Sequence, residues 1–156
     1  MAKNKDESSL DTDKTIEILN TILEMELAGV VRYTHYSLMV FGHARIPIIS
    51  WMREQAAESL AHANEAGEHV TSLGGHPSLK IGKLLETHRH DMDSILKESL
   101  EHEHAGLDQY KKLLDLVRDR RIVLEEYARR LIHDEELHLA DVEKMLRKPG
   151  NLKPSR

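Results

Sequence analysis

Hydrophobic positions recur at intervals of three and four residues along four long stretches of the chain. This is the period of an α-helix that buries one face. The first stretch shows the pattern clearly, with one face formed by Ile16, Leu19, Ile22, Leu23, Glu26, Val30, Tyr33 and Ser37. The four stretches predict helices A to D, which would cover about residues 13–42, 47–73, 85–118 and 122–147. The predicted fold class is therefore all-α.

Glycine and proline residues mark the breaks between these helices. Gly42 suits a helix C-terminus and Pro47 suits a first helical turn, so helices A and B are expected to be antiparallel neighbours. Gly74 and Gly75 end helix B, and the connection that follows, to about residue 83, is long enough to run the length of a bundle. We therefore predict a four-helix bundle in which a long crossover makes helices B and C parallel.

A glutamate occupies a core position in the apolar stripe of two helices, Glu26 in helix A and Glu103 in helix C. Burying a carboxylate is costly unless it is paired or bound to a cation. For Glu26 alone, an ion pair with arginine or histidine explains the position as well as a metal does. Glu24 lies on the other side of helix A and is expected to face solvent. His102 and His104 flank Glu103 and are expected to point to the surface.

Helices B and D each carry a carboxylate one turn before a histidine, which places both groups on one face. These pairs are Glu58 with His62, and Glu135 with His138. On helix B the pair belongs to a polar stripe that a solvated surface would also explain. The rest of that stripe is Gln55, Glu65 and His69, and the opposite packing stripe is Trp51, Ala56, Leu60, Ala63 and Val70.

The two halves of the chain repeat this arrangement. The separation is 32 positions both from Glu26 to Glu58 and from Glu103 to Glu135. The chain therefore looks like two copies of one helical hairpin, each giving two carboxylates and one imidazole. Two such hairpins face to face would supply four carboxylates and two histidines, the ligand set of a di-iron carboxylate protein.

The composition narrows the chemistry further. The chain has 156 residues, no cysteine and a formal net charge of −5. Disulfides, iron–sulfur clusters and zinc–thiolate sites are excluded, so a metal must be held by oxygen and nitrogen, which suits iron or manganese. Most of the eleven histidines are expected to be solvated. No apolar run resembles a signal peptide or a membrane span, so we expect a cytoplasmic protein.

The two ends of the chain are predicted to lie outside the folded domain. Residues 1–11 and 149–156 are polar and are expected to be flexible segments beside one domain, residues 12–148. The net charge argues against a nucleic-acid partner. So does the N-terminus, which mixes Lys3 and Lys5 with Asp6, Glu7, Asp11 and Asp13.

Several segments together resemble bacterioferritin, a member of the ferritin superfamily. Besides His62, they are residues 26–33 (ELAGVVRY), 74–77 (GGHP), 103–106 (EHAG) and 134–138 (DEELH). The resemblance covers about residues 13–147 and implies a ferritin-like bundle that oxidises Fe(II) with O2 or H2O2 at a centre of two iron ions per subunit. The implied metal ligands are Glu26, Glu58, His62, Glu103, Glu135 and His138. Tyr33 would lie beside the centre and supply an electron, although an ordinary core tyrosine explains its position equally well.

Three departures from the family qualify this resemblance. The family has a glutamate three residues before the helix B histidine, where this chain has Ser59, so Glu58 would have to serve instead. The methionine that ligates haem in the family falls on Leu60, so no haem is expected there. The fifth short helix of the large cages is not expected after His138, which favours a homo-oligomeric shell of twelve over one of 24.

Two other functions stay open. A ferritin-like protein of this kind could consume peroxide at manganese or iron without storing a mineral. Alternatively, if Glu58 does not replace the missing ligand, the chain could be a non-enzymatic helical metal buffer or scaffold.

Overall fold

The computed structural model describes residues 10–154, which contain four α-helices and no β-strand. The helices are α1 (Thr12–Met39), α2 (Arg45–Ser72), α3 (Met92–Val117) and α4 (Ile122–Leu146). They confirm the predicted all-α bundle. None of the helices within this range combines the length and apolar character that crossing a membrane requires. Most of the expected N-terminal tail, residues 1–9, lies outside the described range.

The helices form two antiparallel hairpins, α1 with α2 and α3 with α4, and the hairpins meet mainly where α1 packs on α3. Asp11 begins α1 by accepting a hydrogen bond from the Lys14 amide at 3.0 Å, as expected of an N-cap. The core consists of two hydrophobic clusters. The larger one is centred on Leu19, Ile22, Leu113 and Leu131. The smaller one contains Tyr33, Tyr36, Val40, Met52, Ala56 and Ile95. The polar residues discussed below lie between these clusters.

The connection between α2 and α3, residues 73–91, runs beside α1 in the same direction as that helix. Asn20 of α1 binds the first part of the connection, because the Asn20 side chain accepts a hydrogen bond from the Ser78 amide at 2.8 Å. One turn further on, the Gly82 amide donates to the Glu24 carbonyl at 2.7 Å. The Glu24 side chain also accepts a hydrogen bond from the Ser78 hydroxyl, so the prediction that it faces solvent is wrong. The predicted long crossover is confirmed, and it makes α2 and α3 parallel.

A buried cluster that we name the Arg32 clamp, consisting of Arg32, Tyr36 and Glu98, fixes the end of this connection. Arg32 donates to the Leu85 carbonyl at 2.6 Å and to the Glu98 carbonyl at 3.2 Å. The Glu98 carboxylate accepts from the Tyr36 hydroxyl at 2.7 Å and from the Thr87 amide at 2.8 Å. The clamp therefore joins α1, the connection and α3.

The predicted start of the third helix, near residue 85, is wrong by seven positions. Backbone groups at Leu85 and Thr87 bond to the Arg32 clamp instead of to a helix. His88 has a φ of 57°, and Asp91 caps α3 by accepting from the Ser94 amide at 2.9 Å. A second error concerns Leu60, which is 46% exposed and does not belong to the packing face of α2.

Candidate metal centre

Three buried side chains from three helices converge between the two hydrophobic clusters. They are Glu26 of α1, His62 of α2 and Glu135 of α4. His62 Nδ1 lies 3.4 Å from Glu26 Oε1 and 3.6 Å from Glu135 Oε1. One potential ligand atom from each residue lies within 4.8 Å of the other two. Donor atoms at about 2.0–2.2 Å from one ion lie about 3–4 Å apart, so this spacing suits a shared metal ion.

Glu58 lies between the two histidines on the more open side of this group. Its Oε1 is 3.9 Å from His62 Nε2, and its Oε2 is 3.3 Å from His138 Nε2. His138 Nδ1 is in turn 3.9 Å from Glu135 Oε2. The Glu58 side chain is 37% exposed and that of His138 is 22% exposed. This edge of the group therefore gives water and ions a route to the buried carboxylates.

The fourth carboxylate, Glu103, is linked to the group by a pattern that we name the crossed tyrosine pairs. The Tyr33 hydroxyl donates to Glu103 Oε1, and the Tyr110 hydroxyl donates to Glu26 Oε1 at 2.7 Å. Each tyrosine follows the glutamate of its own helix by seven positions, yet it bonds to the glutamate of the other helix. Tyr33 was predicted from the sequence to lie beside the centre, whereas Tyr110 was not, although it occupies the equivalent position in the internal repeat.

Ser59 faces a neighbouring helix rather than the group of carboxylates. A Cβ atom added at Gly29 would lie 2.8 Å from Ser59 Oγ and 3.3 Å from His102 Nε2, so α1, α2 and α3 approach closely here. His104 is exposed as expected, but His102 is half-buried, and burial lowers its pKa. A glutamate at position 59 would meet α1, whereas Glu58 reaches both histidines.

The charge of this arrangement requires compensation. Burial raises the pKa of Glu135, and the nearby carboxylates of Glu103, Glu26 and Glu58 raise it further. Burial lowers the pKa of His62, but the carboxylates of Glu26, Glu58 and Asp134 together raise it by more, so its pKa lies above the usual value. Buried charges of one sign are costly unless cations offset them.

One atom of the group also lacks a partner. Glu135 Oε2 is buried and accepts no hydrogen bond. Oxygen and imidazole donors of this kind are ligands for iron and manganese, and carboxylates can bridge two ions. The donor set, its excess negative charge and the free oxygen of Glu135 therefore fit a pair of divalent cations.

Comparison with known proteins places this geometry in a family. Residues 16–150 match the family model described as the ferritin-like domain. The chain belongs to the ferritin-like family. This membership confirms the resemblance to the ferritin superfamily that the sequence showed. The similarity to two bacterioferritins, described next, confirms the resemblance to that group.

Two bacterioferritins are similar along most of their length. The chain is 29% identical to bacterioferritin from Desulfovibrio desulfuricans over 145 residues, which cover 89% of this chain and 76% of the relative. It is 31% identical to bacterioferritin from Rhodobacter capsulatus over 129 residues, which cover 81% and 78%. The D. desulfuricans structure, described with its diiron site in different catalytic states, superposes with a TM-score of 0.75 over 93% of this chain and 83% of that one.

Two further structures with a similar fold come from R. capsulatus and Bacteroides fragilis. The R. capsulatus structure has a TM-score of 0.77 over 86% of this chain and 84% of that one, and is described with a metal-free dinuclear site and haem iron. A dodecameric thioferritin from Bacteroides fragilis has a TM-score of 0.83 over 89% and 88%, but is only 22% identical. The last likeness establishes the shared fold and no more.

Proposed function

We propose that this ferritin-like protein oxidises Fe(II) at the carboxylate and histidine centre and stores the ferric product. The observation that carries the proposal is the convergence of Glu26, His62 and Glu135 from three helices, together with the buried Glu135 Oε2, which accepts no hydrogen bond. The proposed ligands are Glu26, Glu58, His62, Glu103, Glu135 and His138. Two ferrous ions bound side by side can give two electrons to dioxygen or peroxide.

The protein residues would bind, orient and shield these substrate ions. Glu135 is the most buried of the proposed ligands, and it would offer the ions both Oε1, which faces His62, and Oε2, which accepts no hydrogen bond. Tyr110 fixes the orientation of Glu26 by its hydrogen bond at 2.7 Å, and Tyr33 does the same for Glu103. Hydrogen bonds of this kind to metal ligands keep the donor atoms aimed at the ion.

Glu58 is proposed to replace the glutamate that the family places at position 59. Its carboxylate lies 3.9 Å from His62 and 3.3 Å from His138, and its partial exposure puts it where ions would arrive. We propose that it first binds arriving Fe(II) and then shares it with His62 and His138. Ser59 packs against Gly29 of α1, and we propose that it takes no part in binding.

Tyr33 is proposed as the residue that supplies an electron during oxidation. Its hydroxyl donates to Glu103, and its ring packs edge-on against Trp51 with centroids 6.2 Å apart. Burial raises the pKa of Tyr33, and the Glu103 charge raises it further, so the phenol stays protonated near neutral pH. The Glu103 carboxylate is placed to receive the phenolic proton when the ring loses an electron.

A homo-oligomeric shell is proposed to hold the product. Large apolar side chains remain exposed on the subunit, and such surfaces mark contacts between proteins. The most exposed in the described residues are Leu79 at 95%, Leu152 at 89%, Ile122 at 79%, Phe41 at 74% and Ile46 at 72%. We propose twelve copies rather than 24, since twelve is the number described for the B. fragilis protein that shares this fold. Sedimentation of the purified protein would give the mass of the assembly.

Anaerobic titration with Fe(II), followed by addition of dioxygen or peroxide, tests the proposed activity. We expect two ions per subunit and fast oxidation in the native protein. Glu135→Ala should slow oxidation by at least about tenfold, since even partners that only orient metal ligands contribute about 10–100-fold. Glu136→Ala, which changes the exposed neighbouring residue on α4, is the matched control. Equal rates in the two variants would contradict the proposal.

The partial exposure of Glu58 keeps one other function open, a metal buffer without redox turnover. The same titration separates the two. A buffer would bind metal but would oxidise Fe(II) no faster than buffer solution does, and Glu58→Ala would lower the number of bound ions without affecting any rate. Preference for peroxide with no ferric mineral formed would instead indicate a peroxide-consuming enzyme.

A further inference from the structure

A second group of potential metal ligands lies where the end of the crossover meets α1. It consists of His35 on α1 and of Glu86 and His90 on the crossover, and we name it the crossover triad. His35 Nε2 is 3.0 Å from Glu86 Oε2, and His90 Nε2 is 3.6 Å from Glu86 Oε1. One potential ligand atom from each residue lies within 4.8 Å of the others. His35 follows Glu26 by nine positions, which is about 13 Å along the helix axis.

The distances between these donor atoms are close to those between the ligand atoms of a bound transition-metal ion. Donors held at about 2.0–2.1 Å in a tetrahedron lie about 3.3–3.4 Å from one another. The two nitrogen-to-oxygen distances in the crossover triad, 3.0 and 3.6 Å, lie on either side of that value. The rings of His35 and His90 have centroids 5.8 Å apart at 71°, so neither ring blocks the other from a common point.

An ion pair alone accounts for only part of this geometry. It explains His35, whose Nε2 is within hydrogen-bond distance of Glu86. His90 Nε2 also lies within ion-pair distance of Glu86, at 3.6 Å, but it is buried and has no hydrogen-bond partner, which an ion pair leaves unexplained. Buried nitrogen atoms of this kind are normally satisfied. Glu86 Oε1 already accepts a hydrogen bond from the His88 amide, which fixes the carboxylate beside His90 without satisfying it.

We propose that the crossover triad binds a divalent transition-metal ion, Zn2+ in the first instance, through His35 Nε2, His90 Nε2 and Glu86. Two imidazoles and one carboxylate are a known zinc donor set, and imidazole disfavours Ca2+ and Mg2+. The three side chains are 45%, 25% and 25% exposed, so the ion can enter and a water molecule can complete its coordination. Arg32, one turn before His35 on α1, has its charge offset by Glu98.

The bound ion would fasten the crossover to the outside of α1. Glu86 and His90 flank the irregular turn at His88 that precedes α3, and His35 lies on the helix beside it. A metal bond across this junction acts independently of the carboxylate centre, since the two sites share no residue. The proposal therefore does not depend on ferroxidase activity.

Zn2+ binding to the full-length assembly tests this proposal. Equilibrium dialysis should give one fewer Zn2+ per subunit for His35→Ala/His90→Ala than for the native protein. The control, His43→Ala/His104→Ala, removes two exposed histidines elsewhere and should bind as many ions as the native protein. Both variants should keep native helix content and the native Fe(II) response. A crystal soaked in Zn2+ should show an anomalous peak at about 2.0–2.2 Å from the three donors.

Two outcomes would overturn the proposal. One is an unchanged Zn2+ stoichiometry in His35→Ala/His90→Ala. The other is a soaked crystal with no anomalous peak at the crossover triad while peaks appear at other sites. If the double variant loses helix content, Glu86→Gln gives the decisive measurement, because it preserves the size of the side chain and removes only its charge. Native Zn2+ stoichiometry in a folded Glu86→Gln protein would equally refute the site.

Discussion

Replacing Glu98 should destabilise the fold more than replacing any exposed glutamate on the same helix. Glu98 is 5% exposed and Arg32 is 3% exposed, so their opposite charges are both removed from water. Glu98→Ala leaves the arginine charge uncompensated and deprives the Tyr36 hydroxyl and the Thr87 amide of their acceptor. Removing one partner of a buried ion pair costs about 3–5 kcal/mol. For a chain of this size that corresponds to a fall in Tm of about 6–20 °C.

The pH dependence of this effect has a definite sign. Burial raises the pKa of Glu98, but hydrogen bonds from Thr87 and Tyr36 and the charge of Arg32 lower it by more. Because the folded pKa lies below the unfolded value of about 4.3, the carboxylate stabilises the fold above that pH. This contribution is lost as the pH falls through the folded pKa. Glu98→Gln should therefore be less stable than the native protein near neutral pH, by about 1–3 kcal/mol, and the difference should shrink in acid.

Urea unfolding of the metal-free protein at several pH values, followed by circular dichroism, measures this difference at one fixed protein concentration. Every other titrating group is present in both proteins, so the difference isolates Glu98. Glu101→Gln, an exposed position on α3, is the control and should behave like the native protein. A Glu98→Gln penalty that is absent near neutral pH, or that stays constant into acid, would refute the reasoning.

Three further predictions concern the centre and its surroundings. Gly29→Ala should lower stability by about 1–3 kcal/mol in thermal unfolding, because its Cβ would lie 2.8 Å from Ser59 Oγ, and Gly67→Ala, where a Cβ meets nothing, should not. Glu58→Ala/Ser59→Glu should fail to restore Fe(II) oxidation, and recovery of the native rate would show that position 59 does reach the centre. Tyr110→Phe should weaken Fe(II) binding by about 10–100-fold in anaerobic titration by freeing Glu26, whereas Tyr33→Phe should chiefly slow oxidation.

Much of the fold followed from periodicity, because each helix buries a face whose spacing the sequence displays. The crossover was predicted from two glycines, yet its true length was not, since the backbone groups of Leu85 and Thr87 bond to Arg32 and Glu98 rather than to a helix. No local sequence pattern predicts hydrogen-bond partners that are so distant along the chain. Leu60 was misplaced for a similar reason, because an apolar residue at helical spacing does not reveal which face another helix covers.

The candidate centre was predicted from the repeat, since four glutamates and two histidines at matched separations can share one point. The sequence could not say which oxygen faces which nitrogen, and therefore left open how Glu58 and Ser59 divide their roles. It also gave no warning of the crossover triad. His35 and His90 are 55 positions apart, and only the path of the crossover along α1 brings them together.

The crossed tyrosine pairs make the association of the two hairpins part of the assembly of the metal centre. Each hairpin provides a tyrosine hydroxyl to a glutamate of the other, so separating the hairpins would break both hydrogen bonds. Docking and metal binding are consequently linked equilibria: ions bound across the interface add their binding free energy to hairpin association. Removing them should loosen the contact between α1 and α3 before it unwinds either helix, and hydrogen exchange at that contact would rise first.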